Sequence, residues 1–398
     1  MYSPSRYEFK NLTRQGNLIP VYREILADME TPVSAFCKID DRQSAFLLES
    51  IAGGEKWARY SFLGVGSGRA FRCRGHHFEI LENGDAVKSG KAENPLDELK
   101  AFLAPYQPVS LPELPRFFGG AVGYLGYDMV RHIEELPDLN EAEIGAYDSW
   151  FLITETLLIF DNLQQKIKVL SNVHLREGDD PGASYDAAVQ RIDDMVALLR
   201  KPLRERPAAS KVKVDADLLS NFSRPDFESA VERCKDYVRS GDVIQVVLSQ
   251  RFSGDLDADP FDVYRALRTI NPSPYMFYLQ FNDTRVIGAS PEVLVRKEGD
   301  HVEVRPIAGT RPRGKTFDED QRLEEELMAD PKEVAEHIML VDLARNDLSR
   351  LCSDVSVTQF KKINFYSHVI HMVSEVTGTI ATGINPFKLL AVNFPAEP

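Results

Sequence analysis

The run Asp330-Pro331-Lys332-Glu333-Val334-Ala335-Glu336-His337 combines a helix start with paired carboxylates. Asp330 suits the N-cap, Pro331 the first helical position and Glu333 the third, so a helix is predicted from here to about Leu351. Glu333 and Glu336 are three apart and share one face of that helix. Two neighbouring carboxylates repel unless a cation lies between them, and Mg²⁺ takes one or two carboxylates and completes its shell with water and an anionic substrate. A solvated acidic first turn, favoured by the helix dipole, is the more ordinary explanation of the pair taken alone. Asp342, Arg345, Asn346 and Asp347 follow on the same helix, either as a functional face or as its exposed side.

A second segment, Arg305-Pro306-Ile307-Ala308-Gly309-Thr310-Arg311-Pro312-Arg313-Gly314-Lys315, surrounds a glycine with cations in an otherwise acidic chain. Gly309 permits close approach of a ligand to the backbone, and the arginine forks match a carboxylate. An exposed basic loop is the competing explanation, and the spacing is not that of a nucleotide-binding P-loop. His371 lies in a predicted strand, His368–Ile380, on one face with Val369, Val373 and Glu375. It is a candidate acid or base near neutral pH, with His368 its competitor and a structural role the alternative. Asn271-Pro272-Ser273-Pro274-Tyr275-Met276-Phe277-Tyr278 is a rigid turn feeding an aromatic strand, suited to a flat apolar pocket with a polar rim. Leu47-Leu48-Glu49-Ser50 offers a carboxylate for an ammonium group with a hydroxyl beside it.

These residues need a scaffold of both element types. Short strands are expected at Ala45–Glu49, Trp57–Leu63, Ala70–Arg74 and His77–Leu81, with Asn83-Gly84 as a tight hairpin turn. A second hairpin joins Phe151–Phe160 to Lys166–Val173. Tyr185–Arg200 reads as an amphipathic helix with Ala188, Ile192, Met195, Val196 and Leu199 inward. The charged, proline-containing stretch Lys201–Val214 marks a boundary, giving an N-terminal domain at 1–200, a linker at 201–222 and a second domain at 223–398. A helix capped by Ser223 and ending near Gly241, a strand at Val243–Phe252, a helix at Pro260–Ile270, and strands at Tyr275–Phe281, Val286–Val295 and His301–Arg305 follow. Without regular alternation the fold class is α+β, mixed sheets packed with helices. The 398 residues are 43% hydrophobic and 27% charged, which fits a globular chain. A net charge of −14 argues against nucleic acid, and no apolar run is long enough for a membrane. Cys37, Cys73, Cys234 and Cys352 are widely spaced and suggest neither zinc nor disulfides, so a cytoplasmic protein is expected.

Taken in order, Leu47 to Ser50, Phe118-Gly119-Gly120 through Tyr127-Asp128, Asn271 to Tyr278, Gly288-Ala289-Ser290-Pro291-Glu292, Arg305 to Gly314, Asp342 to Leu348 and His371 to Ser374 resemble the component I family of anthranilate synthases, within the chorismate-utilising enzymes. The resemblance spans nearly the whole chain. It implies that chorismate binds with Mg²⁺, that ammonia adds at ring carbon 2 as the 4-hydroxyl leaves, and that pyruvate is eliminated to leave anthranilate. It implies ammonia from a separate glutamine amidotransferase subunit. It further implies Glu336 as a Mg²⁺ ligand with Glu333 beside it, Gly309 and Thr310 on chorismate, His371 as acid/base near the leaving hydroxyl, and a tryptophan feedback site at Glu49, Ser50, Pro274, Tyr275 and Met276. Relatives that make aminodeoxychorismate usually carry a nucleophilic lysine where Ala308 stands. Relatives that add water usually carry a lysine base where Gln245 stands. Ala308 with Gln245 therefore favours ammonia as nucleophile.

After Asn393-Phe394-Pro395-Ala396 the family continues with Gly-Thr-x-Ser-Gly-Ala-Pro-Lys, whereas this sequence reads Glu397-Pro398. The expectation is a C-terminally truncated chain lacking a second Mg²⁺-binding glutamate and part of its sheet, with little synthase turnover of its own. An aminodeoxychorismate synthase component and an inactive tryptophan-binding fragment are the alternatives.

Overall fold

The computed structural model of the chain describes residues 1–40, 43–51, 59–137, 144–203 and 218–394. The first half supplies β1 (Tyr2–Ser3), β2 (Leu18–Leu26), β3 (Ser44–Glu49), β4 (Tyr60–Arg74), β5 (His77–Glu82), β6 (Asp85–Lys91), β7 (Gly120–Leu125), β8 (Ser149–Asp161) and β9 (Lys166–His174). A separate short pair, β10 (Leu219–Ser220) and β11 (Phe252–Ser253), precedes β12 (Tyr275–Phe281) and β13 (Thr284–Ser290). The large sheet runs β1-β2-β9-β8-β4-β3-β12-β13, with the β5–β6 hairpin on β4 and β7 on β8. Two strands from the second half of the chain thus complete the sheet of the first. The expected α+β class is what the chain adopts: its mixed sheets and helices follow no regular alternation.

Side-chain alternation explains why this sheet is covered. One face carries Val21, Leu47, Leu63, Leu158, Val169 and Tyr278. Against it pack helices α1 (Arg6–Leu12), α2 (Pro32–Ile39), α4 (Pro181–Leu199) and α6 (Pro260–Ile270), α3 (Pro95–Leu103) lying elsewhere on β4 and β5. The inward stripe expected on α4 is buried at all five positions. Each such large apolar side chain contributes about 1.5–3 kcal/mol on burial. The two strands expected at Trp57–Leu63 and Ala70–Arg74 are one strand, β4, with an irregular register between Val65 and Ala70; residues 57 and 58 lie outside the described residues. Asn83 and Gly84 both take positive φ, as their turn requires. Most of the expected boundary, residues 204–217, also lies outside the described residues.

The second sheet holds β14 (Arg296–Glu298), β15 (His301–Val304), β16 (Ile307–Pro312), β17 (Cys352–Phe365) and β18 (Val369–Ile380), in the order β14-β15-β18-β16 with β17 also on β18. Helix α5 (Arg224–Ser240) precedes it, and α7 (Phe317–Ala329), α8 (Pro331–Ser349) and α9 (Pro386–Val392) belong to it. Val341, Ala344 and Leu348 of α8 bury against Val302, Val304, Val376 and Ile380 of the sheet. The strand expected at Val243–Phe252 does not form. Residues 245–250 are irregular, only Phe252–Ser253 is paired, and Ile244 and Val247 are exposed at 82% and 63%. An apolar run becomes a strand only with a neighbour to satisfy its backbone, and among the described residues β10 and Asn221 meet only its end, at Arg251 and Phe252. No helix among the described residues is long and apolar enough to cross a membrane.

Candidate active site

Helix α8 begins as its residue types dictate. The Asp330 carboxylate accepts from the backbone N–H groups of Lys332 (3.0 Å) and Glu333 (3.3 Å), with Pro331 in the first turn. Strand β16 lies alongside, and its pairing with β18 is broken by a bulge between Ala308 and Thr310. Gly309 fills the bulge at φ 78°. A Cβ there would lie 3.1 Å from Leu327 Cδ1 and 3.3 Å from Glu333 Oε2, so a side chain at this position would crowd the carboxylate.

A cavity of about 410 Å³ opens where bulge and helix meet. It is lined by Ala308, Gly309, Thr310, Glu333 and Glu336, joined by Gln245 and Glu292. His371, opposite Thr310 in the β16–β18 ladder, has Nδ1 3.1 Å from Thr310 Oγ1 and 3.2 Å from the Gly309 carbonyl oxygen. Burial lowers the His371 pKa, opposed by that carbonyl, so the imidazole is neutral near pH 7. With Nδ1–H donated to the carbonyl, Nε2 is the basic nitrogen. The sequence-derived residues Glu333, Glu336, Gly309, Thr310 and His371 therefore meet in one place. Glu336 has neither a hydrogen-bond nor an ion-pair partner among the described residues, whereas Glu333 has Arg311 Nη1 at 3.7 Å. Among the described residues no three His, Cys, Asp or Glu side chains are arranged to hold a metal. Two hard carboxylates beside an open cavity nonetheless suit Mg²⁺, which needs only one or two from the protein.

The arginine cluster behaves differently from the sequence expectation. Arg311 donates to Glu326 (2.9 Å) and Asp330 (2.8 Å), tying β16 to the α7–α8 junction. Arg313 grips Asp320 through Nε (3.1 Å) and Nη2 (2.6 Å) and donates to the Tyr366 carbonyl. Their hydrogen bonds hold Asp330 and Asp320 below the usual carboxylate range. These two forks are committed to the scaffold rather than to an anion, because the acidic α7 beside them supplies carboxylates. Asp342, Arg345 and Asn346 are the exposed side of α8, with an Arg345–Asp342 ion pair at 3.0 Å.

Glu49, Ser50, Pro274, Tyr275 and Met276 also converge, at the adjoining ends of β3 and β12. Met276 pairs with Glu49, and Ile51 N–H donates to the Ser273 carbonyl at 3.1 Å. Glu49 is not the open carboxylate that the sequence suggested. It is 5% exposed and accepts from Tyr264 (2.6 Å) and from both arms of Arg268 (3.1 and 3.2 Å). A buried carboxylate requires such a cation, and α6 supplies one. The Ser50 hydroxyl, by contrast, is buried without a partner among the described residues.

Sequence reasoning passed over His337. It is fully buried, with Nε2 2.6 Å from Ser374 Oγ, which also accepts from Lys361 N–H at 2.9 Å. This bond ties α8 to β18, hence Glu336 to His371. Burial, aided by Lys361, pushes the His337 pKa down to about 4. The signal was its place on the apolar stripe with Val334 and Val341.

Residues 43–397 match the chorismate binding enzyme family. The chain is 43% identical over 403 residues to anthranilate synthase component 1 of Acetivibrio thermocellus, covering 100% of this chain and 81% of that protein. It is 45% identical to the protein of the same name from Aquifex aeolicus, covering 98% and 79% respectively. The crystal structure of anthranilate synthase component I from Streptococcus pneumoniae superposes with a TM-score of 0.73 at 32% identity, over 94% of this chain and 79% of that one. The isochorismate synthase MenF of Escherichia coli, 14% identical with a TM-score of 0.60, shares the fold. Carrying these motifs on this fold, the chain belongs to the chorismate binding enzymes and, within them, to the anthranilate synthase component 1 family.

Proposed function

We propose that this chain is built to convert chorismate and ammonia to anthranilate and pyruvate, the first committed step toward tryptophan. The observation that carries the reading is the single cavity that gathers Gly309, Thr310, Glu333 and Glu336, with His371 hydrogen-bonded at its wall. Glu336, unpartnered, and Glu333 beside it would hold Mg²⁺, which when bound would neutralise a substrate carboxylate. The backbone at Gly309 and the Thr310 hydroxyl would position the ring diacid. His371 would exchange the proton at the departing 4-hydroxyl.

The nucleophile follows from two side chains in the cavity. Ala308 offers no amine for a covalent intermediate. Gln245 has a buried amide oxygen without a partner among the described residues, able to accept an N–H of ammonia but unable to deprotonate water. A glutamine amidotransferase subunit would supply the ammonia. Residues 1–200 would carry much of the regulatory site and 223–398 the reaction, with 201–222 between them. The buried Ser50 hydroxyl, unpartnered among the described residues and close to Pro274, Tyr275 and Met276, supports a tryptophan site there.

The test is incubation of the protein, in excess over chorismate, with Mg²⁺ and ammonium, followed by product separation. Anthranilate and pyruvate in equal amounts are expected. Aminodeoxychorismate would instead indicate the related synthase, and isochorismate would show that water is the nucleophile.

A further inference from the structure

A second polar cavity lies in the other half of the chain, where the large sheet forks. Strand β9 pairs with β8 from Lys166 opposite Asp161 to Ser171 opposite Thr156, and there the ladder ends. From Thr154 opposite Gly120 onward, β7 takes its place against β8. A cavity of about 360 Å³ opens between the parting strands.

Asn172 sits in the fork at 3% exposure. Its Nδ2 donates to the carbonyl oxygens of Phe118 (2.9 Å) and Thr154 (3.3 Å). That fixes the amide orientation, since the flipped amide would set its oxygen against two carbonyls. The remaining atom, Oδ1, is buried and has no partner among the described residues. A buried acceptor in this position calls for a donor, from an ordered water or from a ligand that enters the fork.

The cations around the cavity are Arg69, Arg176 and Arg191. Arg69 is 3.0 Å from Glu82 and donates to the Tyr106 hydroxyl at 2.8 Å. Arg191 donates to Ser171 at 2.9 Å and lies 3.4 Å from Glu155. The guanidinium of Arg176 has no carboxylate partner among the described residues. Three arginines thus stand over the carboxylates of Glu82 and Glu155, with Asp179 at the rim, where it accepts the Arg176 backbone N–H at 2.8 Å. His174 adds no charge, because burial and the neighbouring arginines lower its pKa. Its ring and that of Tyr106, 4.4 Å apart, make an aromatic wall.

We propose that this fork binds a small ring carboxylic acid bearing an amino or hydroxyl donor beside its carboxylate. The carboxylate meets Arg176, the donor meets Asn172 Oδ1, and the ring lies against Tyr106 and His174. The first two contacts answer unsatisfied features of the cavity, and none of the three involves residues of the candidate active site.

The experiment titrates the full chain with 2-aminobenzoate, followed by its own fluorescence, and separately with benzoate. Saturable binding of 2-aminobenzoate is expected, weakened about tenfold or more by Arg176→Ala and partly restored by Arg176→Lys, as loss of a charge-assisted hydrogen bond requires. Benzoate, lacking the donor, should bind about tenfold more weakly. Arg176 is exposed, so its replacement should leave the fold intact. Glu336→Gln should leave the affinity unchanged. Absence of saturable binding, indifference to Arg176→Ala, or loss of binding in Glu336→Gln would each overturn the proposal.

Discussion

Replacing Gly309 with alanine separates backbone strain from damage to the site. At φ 78° an alanine costs about 1–2 kcal/mol relative to glycine, offset by about 0.4–1 kcal/mol because the unfolded chain loses freedom. The net backbone loss is then about 1 kcal/mol. The added methyl also lies 3.1 Å from Leu327 Cδ1 and 3.3 Å from Glu333 Oε2. Leu327 is fully buried and held in the core, so the Glu333 carboxylate is the group that gives way. A shift of a few tenths of an ångström weakens the contacts that Glu333 makes in the cavity, and a loss of about 1 kcal/mol there corresponds to about fivefold in chorismate affinity. Gly299→Ala is the control, because Gly299 has φ 61° and nothing within 4 Å of its would-be Cβ. Urea unfolding should show similar destabilisation for both variants, with unchanged m values. Titration with chorismate in Mg²⁺ should show weakened binding only for Gly309→Ala. Equal affinities for the two variants, whether retained or lost, would refute the claim that Gly309 serves the cavity through Glu333.

Three further outcomes are expected. His337 titrates near 6.5 when unfolded but at about 4 when folded, so the unfolded state binds the extra proton between those values and stability falls as pH drops through that window. In His337→Gln the loss of stability between pH 7 and pH 5, from urea midpoints, should shrink by about 2 kcal/mol. Arg311→Met should lower stability by about 1–2 kcal/mol by freeing Asp330 and Glu326; unchanged stability with lost chorismate affinity would make Arg311 a ligand-binding residue instead. Ser50→Phe should abolish tryptophan binding in calorimetry by filling the space beside Pro274 to Met276, and unchanged affinity would remove Ser50 from that site.

Local rules carried much of this structure. The cap at Asp330 and Pro331, the α4 stripe and the strand at Tyr275–Phe281 depend on near neighbours and were readable from residue order. Helix α7 was not, since Asp318 to Glu326 is too acidic to show an apolar face. Nor was β17, whose lone pairing with β18 leaves alternate residues exposed. Val243–Phe252 has strand-forming composition, but composition cannot supply a neighbouring strand. Within the candidate site, residue types revealed carboxylates, glycine and histidine. They could not reveal which cations were already engaged: Arg311, Arg313 and Arg268 have the chemistry of anion receptors, yet each meets a carboxylate from a distant or separately folded element. His337 was hidden for the converse reason, as its partner Ser374 lies across the helix–sheet interface.

Calorimetric titration of chorismate, with and without Mg²⁺, against the unsubstituted chain and Glu336→Gln bears most directly on the cavity beneath Gly309. Binding that needs Mg²⁺ and is lost in the Glu336→Gln variant is the predicted result. Affinity indifferent to both the metal and the substitution would contradict it and place the diacid elsewhere.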